Sequence, residues 1–359
     1  RAAADLADKA TVLGGIGMKK KKLFIASMET VLVPLAVYVI FEYIDYSGTG
    51  LHLINTSADI ATLLRNLVAT YCLAMALNSN LSCGRMDLSL GSQMYLGVIF
   101  GGLISLSFGW GGIGILLLSG IIGAIAGLIV GILFVSLRIL PMVLGLAITL
   151  VYECISYSAN SQQGVVLFGK PGTEILSNIP FILLIFGLLF IFTIYVFQYS
   201  EFGYKRRAIQ GSQKLANEAG INIFTNCIGC YVIAGFLAAI SGVFTAAYQG
   251  SLAPVLGMSS NSSVFAAMFP MTLGAWIGSF CGNQSAGIFM GSLAVRLLIQ
   301  GLARLGFGTT TQNLIVYSLF LIFVVINTNK NYPAYLKARR ERIALAKKTK
   351  QEMGIYTET

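Results

Sequence analysis

Apolar residues in this 359-residue chain gather into long, nearly unbroken runs, with neither a strand's alternation nor the narrow stripe of a surface helix. Polar breaks divide them into ten candidate spans: about Leu23–Glu42, Leu63–Asn80, Leu88–Leu106, Ile113–Leu137, Ile139–Tyr157, Pro180–Tyr199, Cys227–Gln249, Val264–Cys281, Ser285–Leu305 and Leu314–Thr328. Most approach the roughly 20 residues that a helix needs to cross a bilayer's hydrocarbon. The pattern predicts an all-α polytopic membrane protein, with 1–22 as an N-terminal extension, 23–328 as the membrane domain and 329–359 as a basic tail. The first run is long for a signal peptide and no A-x-A-like site follows it, so it reads as a retained span. Seventeen residues precede Met18.

Composition strengthens this reading. Hydrophobic residues make up 56% of the chain and charged residues only 11%, against about a quarter charged in soluble domains. No soluble-looking block is long enough for an extramembrane catalytic domain. Gly123, Gly127 and Gly131 recur at i, i+4, i+8, as do Gly97 with Gly101 and Gly287 with Gly291. Such small-residue faces let membrane helices approach closely.

The distribution of charge adds orientation. Of 24 Lys and Arg, four are Lys19–Lys22, four lie after the sixth span (Lys205, Arg206, Arg207, Lys214) and eight follow Asn329. Ten spans put all three clusters on one side, and the positive-inside tendency makes that side the cytoplasm, with both termini inside. The tail then reads as an orientation signal near anionic lipid, with no need for nucleic acid.

Two polar interruptions stand out, Cys83–Ser92 (CGRMDLSLGS) and Gly278–Ser285 (GSFCGNQS), one in each half. Transporters often build pathways from broken helices in corresponding positions; ordinary interhelical turns are the alternative.

Candidate chemistry is sparse. Gly164–Lys170 reads GVVLFGK, matching a phosphate-loop spacing, but Pro171 stands where Ser or Thr must hold magnesium, and no strand-to-helix context surrounds it. Cys227 and Cys230 form a C-x-x-C without a second pair, and His52 is the single histidine, so apolar packing outweighs a metal or redox site. No G-x-S-x-G elbow appears, and no second aspartate accompanies Asp87 near a span core. The chain is expected not to be an enzyme, with no catalytic residue, metal or cofactor of its own. Among intramembrane charges, Arg65 and Arg304 are placed to snorkel at span ends. Glu153 and Arg296 lie deeper, as possible pathway residues or halves of structural ion pairs.

Gly84–Ser92 resembles the Gly-Gly-Ile-Asp-Leu-Ser-Val-Gly-Ser signature of ribose-type ABC importer permeases, a branched-chain/monosaccharide class, with Arg85 replacing the second glycine. Phe202-Gly203, Ala208–Gly211 and Ala219–Asn222 are similar to that family's Phe-Gly, Ala-Ile-Gly-Gly and Ser-Gly-Ile-Asn segment. Ala234–Gly242 is similar to its Ser-Gly-Leu-Leu-Ala-Ala-Leu-Ala-Gly helix. Gln210 and Ser212 depart from the pattern, as does Leu273–Trp276, so substrate does not carry over directly.

The resemblance implies a permease subunit of a bacterial importer, in the inner membrane, for a small polar solute. A sugar comes first and a nucleoside next. It implies a second permease chain (identical or sister), two ATPase subunits that bind ATP and magnesium, and an extracytoplasmic solute-binding protein. Loop 200–226 would be the segment coupled to the ATPase, through Gly203, Arg207, Gly211, Ala216, Ala219 and Gly220. Asp87, Ser89 and Gly91 would form a helix-start motif near the pathway, the first two bonding free N–H groups and Gly91 permitting close approach. Arg85 would pair with Asp87 or reach lipid or cytosol. A self-sufficient secondary transporter or channel is the rival, and a membrane-embedded enzyme a more distant one.

Overall fold

The computed structural model describes residues 30–47, 50 and 52–329. Lys19–Lys22, the start of the first expected span and the basic tail after Asn329 lie outside them. Two compact units divide the chain, residues 1–308 and residues 309–359. Ten helices among the described residues are long and apolar enough to cross a membrane. Nine belong to the first unit: α1 (Thr30–Ser47), α2 (Ser57–Leu81), α3 (Leu90–Ser107), α4 (Gly111–Leu137), α5 (Pro141–Ser158), α6 (Ile179–Ile194, extended by a π-turn to Tyr199), α9 (Ile223–Gln249), α10 (Asn261–Cys281) and α11 (Gln284–Arg304). Two short helices, α7 (Glu201–Gly211) and α8 (Gln213–Glu218), fill the link between α6 and α9. The second unit contributes α12 (Thr309–Asn329). The expected spans and observed helices agree in number and order, with ends moved by a few residues.

Polar side chains mark some of the helix starts. Thr56 and Asp59 form a reciprocal capping box at α2, and Asn283 Oδ1 accepts from Ser285 and Ala286 N–H at α11. Such caps satisfy donors that the first helical turn leaves unpaired. Helices apolar on every side belong in the centre: α2 is buried continuously from Leu67 to Asn80, and α9 packs against α2, α3 and α4.

Helix α4 shows how a span with few polar residues sorts its faces. Ile113, Leu117, Ile121, Ile125 and Ile132 are exposed along one side, an arrangement suited to lipid. Gly123 and Gly127 line the other, where an added Cβ would lie 2.4 Å from Gly235 O and 2.2 Å from Tyr231 O on α9. The glycine spacing is therefore a close-approach face, as expected.

A two-residue antiparallel ladder, β1 (Val165–Val166) with β2 (Ser251–Leu252), ties the α5–α6 link to the α9–α10 link. Runs so short carry no sequence signal. Gly164–Lys170 thus lies in a strand and turn, and no α-helix opens directly from it as a phosphate loop requires.

Candidate functional site

The interruption 82–89 separates α2 from α3 by one compact turn. Asp87 is buried, and its Oδ1 accepts from Ser89 N–H at 2.9 Å and Ser89 Oγ at 2.6 Å, while Gln93 Nε2 donates to Ser89 Oγ at 2.8 Å. Ser89 stands at the N-cap of α3 but makes no side-chain cap bond, because its hydroxyl serves Asp87 and Gln93 instead. That corrects the expectation for Ser89, whose hydroxyl bonds no backbone N–H, whereas Asp87 does accept a backbone N–H at the helix start, that of Ser89 itself. Asp87 Oδ2 is buried without a hydrogen-bond donor from the chain.

Arg85 corrects a second expectation. It is 5% exposed and forms no ion pair with Asp87. Its guanidinium lies near Cys83, Cys227, Cys230 and Tyr231. Cys227 and Cys230 are buried free thiols within α9.

Gly91 sits where the first turns of α3 and α10 meet. A Cβ there would lie 2.2 Å from Ser260 O and 2.7 Å from Ser260 C. The same Ser260 is gripped from the other side by Glu153 of α5: Oε1 accepts from Ser260 N–H at 2.9 Å and Oε2 from Met258 N–H at 2.8 Å. Glu153 is thus buried without a cation partner, stabilising the positive N-terminal end of α10 with both oxygens. Gly145, on the same helix, would bring a Cβ to 2.9 Å from Leu88 N. Three helix segments therefore converge on the decapeptide. The partner of the first interruption is the α9–α10 link, and Gly278–Ser285 is the turn from α10 to α11.

Arg296 forms no ion pair with Glu153. Its Nε donates to Thr70 Oγ1 on α2. Arg304 pairs with Asp59 of α2, which corrects its expected reach to lipid headgroups. Arg65 donates to Ala61 O, Ser177 Oγ and Ala247 O at 3.2, 3.3 and 3.4 Å.

At the other end of α2 lies the α6–α9 link, which spans 200–222 because α9 begins at Ile223, four residues earlier than expected. Each helix has its own cap: Ser200 Oγ accepts from Gly203 N–H, Ser212 Oγ from Leu215 N–H and Asn222 Oδ1 from Thr225 N–H. Gly203 is buried, and an added Cβ would fall 2.4 Å from Phe197 O. Arg207 is exposed, donating to Gln198 O at 2.8 Å over the Tyr204 ring. Ala216 is buried with Ile209 against Cys83. Gly211, Leu215, Ala219 and Gly220 are exposed, and nothing lies within 4 Å of a Cβ built on Gly211 or Gly220. The link therefore presents Gly211, Ala219 and Gly220 outward among polar and charged side chains, and a buried face inward.

The residue that sequence reasoning overlooked is Arg206. It is 1% exposed and donates through Nε to Ser79 O at 3.1 Å and through Nη2 to Asn78 O at 2.7 Å and to Ser82 Oγ. Gly203, Arg206 and Ile209, three apart, are the buried residues of α7. That spacing was the available signal.

A cavity of about 190 Å³ adjoins Arg206 and Arg207, lined also by Met75, Phe197, Gln198, Gln210 and Gln284. Among the described residues, no group of three or more His, Cys, Asp or Glu is arranged to hold a metal ion.

Comparison with known proteins supplies context. The family described as branched-chain amino acid transport system / permease component matches residues 60–325. The ribose import permease protein of Haemophilus influenzae is 24% identical over 76% of this chain and 85% of its own length. The galactose/methyl galactoside import permease of that organism is 26% identical over 58% of this chain and 65% of its own length. Its xylose transport system permease is 27% identical over 42% of this chain and 40% of its own length. Among solved structures, an inward-facing conformation of a metal-chelate type ABC transporter shares the fold at a TM-score of 0.52 and 15% identity, covering 85% of this chain and 99% of that one.

Proposed function

We propose, from the premise that this chain belongs to the branched-chain amino acid transport system / permease component family, that it is the transmembrane permease subunit of a bacterial ABC importer for a monosaccharide. The observation that carries the reading is the extent of the match: residues 60–325 include the decapeptide, the Gly91–Ser260 contact and the whole α7–α8 link. Relatives named for ribose, xylose and galactose support a sugar as the substrate class.

In this mechanism two permease chains, identical or sister, form the pathway in the inner membrane. The α7–α8 link faces the cytoplasm together with both termini, and Gly211, Ala219 and Gly220 offer an uncrowded surface to an ATPase. ATP and magnesium belong to two such ATPase subunits, whose closure moves the link; the permease contributes no catalytic group. An extracytoplasmic solute-binding protein delivers the sugar at the opposite side.

Reconstitution into liposomes with the ATPase and the binding protein tests this. Accumulation of radiolabelled ribose, xylose or galactose that depends on ATP is expected. Equilibrative entry that ignores ATP would support a secondary transporter or channel and overturn the proposal.

A further inference from the structure

Four observations at the inner face of α7 concern Arg206 and its immediate surroundings. Arg206 is the largest fully buried side chain of the described residues, yet no carboxylate accompanies it. Its acceptors are Asn78 O, Ser79 O and Ser82 Oγ, at the C-terminal end of α2, where unpaired carbonyls concentrate partial negative charge. Phe197, just before α7, holds the guanidinium over its ring at 4.8 Å. Bonds also return from the interruption: Cys83 Sγ donates to Arg206 O at 3.9 Å, and Gln213 Nε2 of α8 donates to Cys83 O at 3.3 Å.

We propose that Arg206 is the positioning residue that makes the α7–α8 link and the C-terminal end of α2 move as one body. Displacement of the link thereby reaches the Asp87–Gly91 turn and its contact with Ser260. This inference rests on the ABC-importer reading above.

The chemistry favours arginine over any other cation. A guanidinium presents its donors in a fixed planar fork, so Nε and Nη2 can hold adjacent carbonyls in one orientation. A lysine ammonium reaches the same region as a single point charge and leaves the fork's geometry unspecified. An apolar residue of similar volume would pack against Phe197 but transmit no direction to α2. Burying a cation without a counter-charge is a poor route to stability alone, whereas it fixes the register between two elements. From Ser82 the chain needs only nine residues to reach Gly91. A shift of the α2 end therefore cannot be absorbed in a long flexible connection. Lys205, one position earlier, faces outward and pairs with Glu201, so the buried role is specific to position 206.

The test is the number of sugar molecules taken up per ATP hydrolysed by the reconstituted importer, parent against Arg206→Met, Arg206→Lys and Ser82→Ala, with Lys205→Ala as control. Arg206→Met is expected to assemble and hydrolyse ATP, while sugar transported per ATP falls about tenfold. Arg206→Lys should fall at least threefold and Ser82→Ala about twofold, with Lys205→Ala unchanged. A merely structural Arg206 would lower hydrolysis, uptake and assembled complex together, leaving their ratio intact. That constant ratio overturns the proposal. Should Arg206→Met fail to assemble, the ratio for Arg206→Lys and Ser82→Ala decides, and parent-like values in both overturn it equally. Failure of the importer reading is separate: the parent chain itself would then show no uptake linked to ATP.

Discussion

Gly91→Ala offers a sharp test of the joint between α3 and α10, because both sides of the contact are fixed. The new methyl carbon would lie 2.2 Å from Ser260 O, against 3.4 Å or more for ordinary contact. The helices must therefore separate locally by about 1 Å, a shift of the kind that costs about 1–3 kcal/mol when a tight interior is overfilled. Ser260 cannot yield freely, since its N–H is held by Glu153 at 2.9 Å. Glu153→Gln would turn one of two charge-assisted acceptors into a donor facing an N–H. The lost bond is worth about 1.5–3 kcal/mol, reduced by the lower cost of burying a neutral amide. Because the clasp is what makes Ser260 rigid, the two effects are coupled. The double variant should be less destabilised than the sum of the singles by about 1 kcal/mol, within the range found for contacting residues. Detergent-solubilised protein titrated with SDS and followed by circular dichroism gives the four free energies. Additivity within about 0.5 kcal/mol, or a parent-like Gly91→Ala, would refute the shared joint.

Other variants separate coupling, assembly and packing. Ala219→Trp should uncouple ATP hydrolysis from uptake while membrane insertion stays normal, as read by uptake and ATPase assays on the same vesicles. Gly220→Trp should do the same with an added folding cost of about 1–2 kcal/mol, because Gly220 has φ +79°; normal coupling in both would remove the link's assignment. Asp87→Ala should lower the yield of assembled protein, since Ser89 loses the acceptor of its N–H and hydroxyl, and leave sugar preference unchanged in competition assays. Gly127→Val should prevent α4 from seating on α9, lowering the yield of folded protein in a detergent thermal-shift assay, because even its Cβ would meet Tyr231 O at 2.2 Å. Arg304→Ala should change stability by under about 1 kcal/mol in SDS titration, as expected for a partly exposed ion pair.

Sequence legibility followed the physics of each feature. The ten spans were readable because transfer into lipid acts on every residue of a run, so length and apolarity suffice. The glycine face of α4 was readable because close approach demands small residues at fixed spacing. The joint was not. Glu153 reaches Ser260 across 107 positions, and nothing local marks a carboxylate that will meet backbone N–H groups and no arginine. Likewise Arg206 and Arg207 look alike as neighbours in a basic loop. The buried triplet Gly203, Arg206, Ile209 on a short helix distinguishes them, and a loop composition hides so brief a stripe. The Arg304–Asp59 pair joins the ends of α2 and α11 across 245 positions, so each residue alone resembled a span-end charge.

The central claim, that this chain works as one part of an ATP-driven importer, is tested most directly by purifying it, tagged, from its own host in mild detergent and identifying what accompanies it. A stoichiometric ATPase subunit is expected to accompany it. A chain that repeatedly emerges alone and transports sugar in liposomes without ATP would contradict the claim.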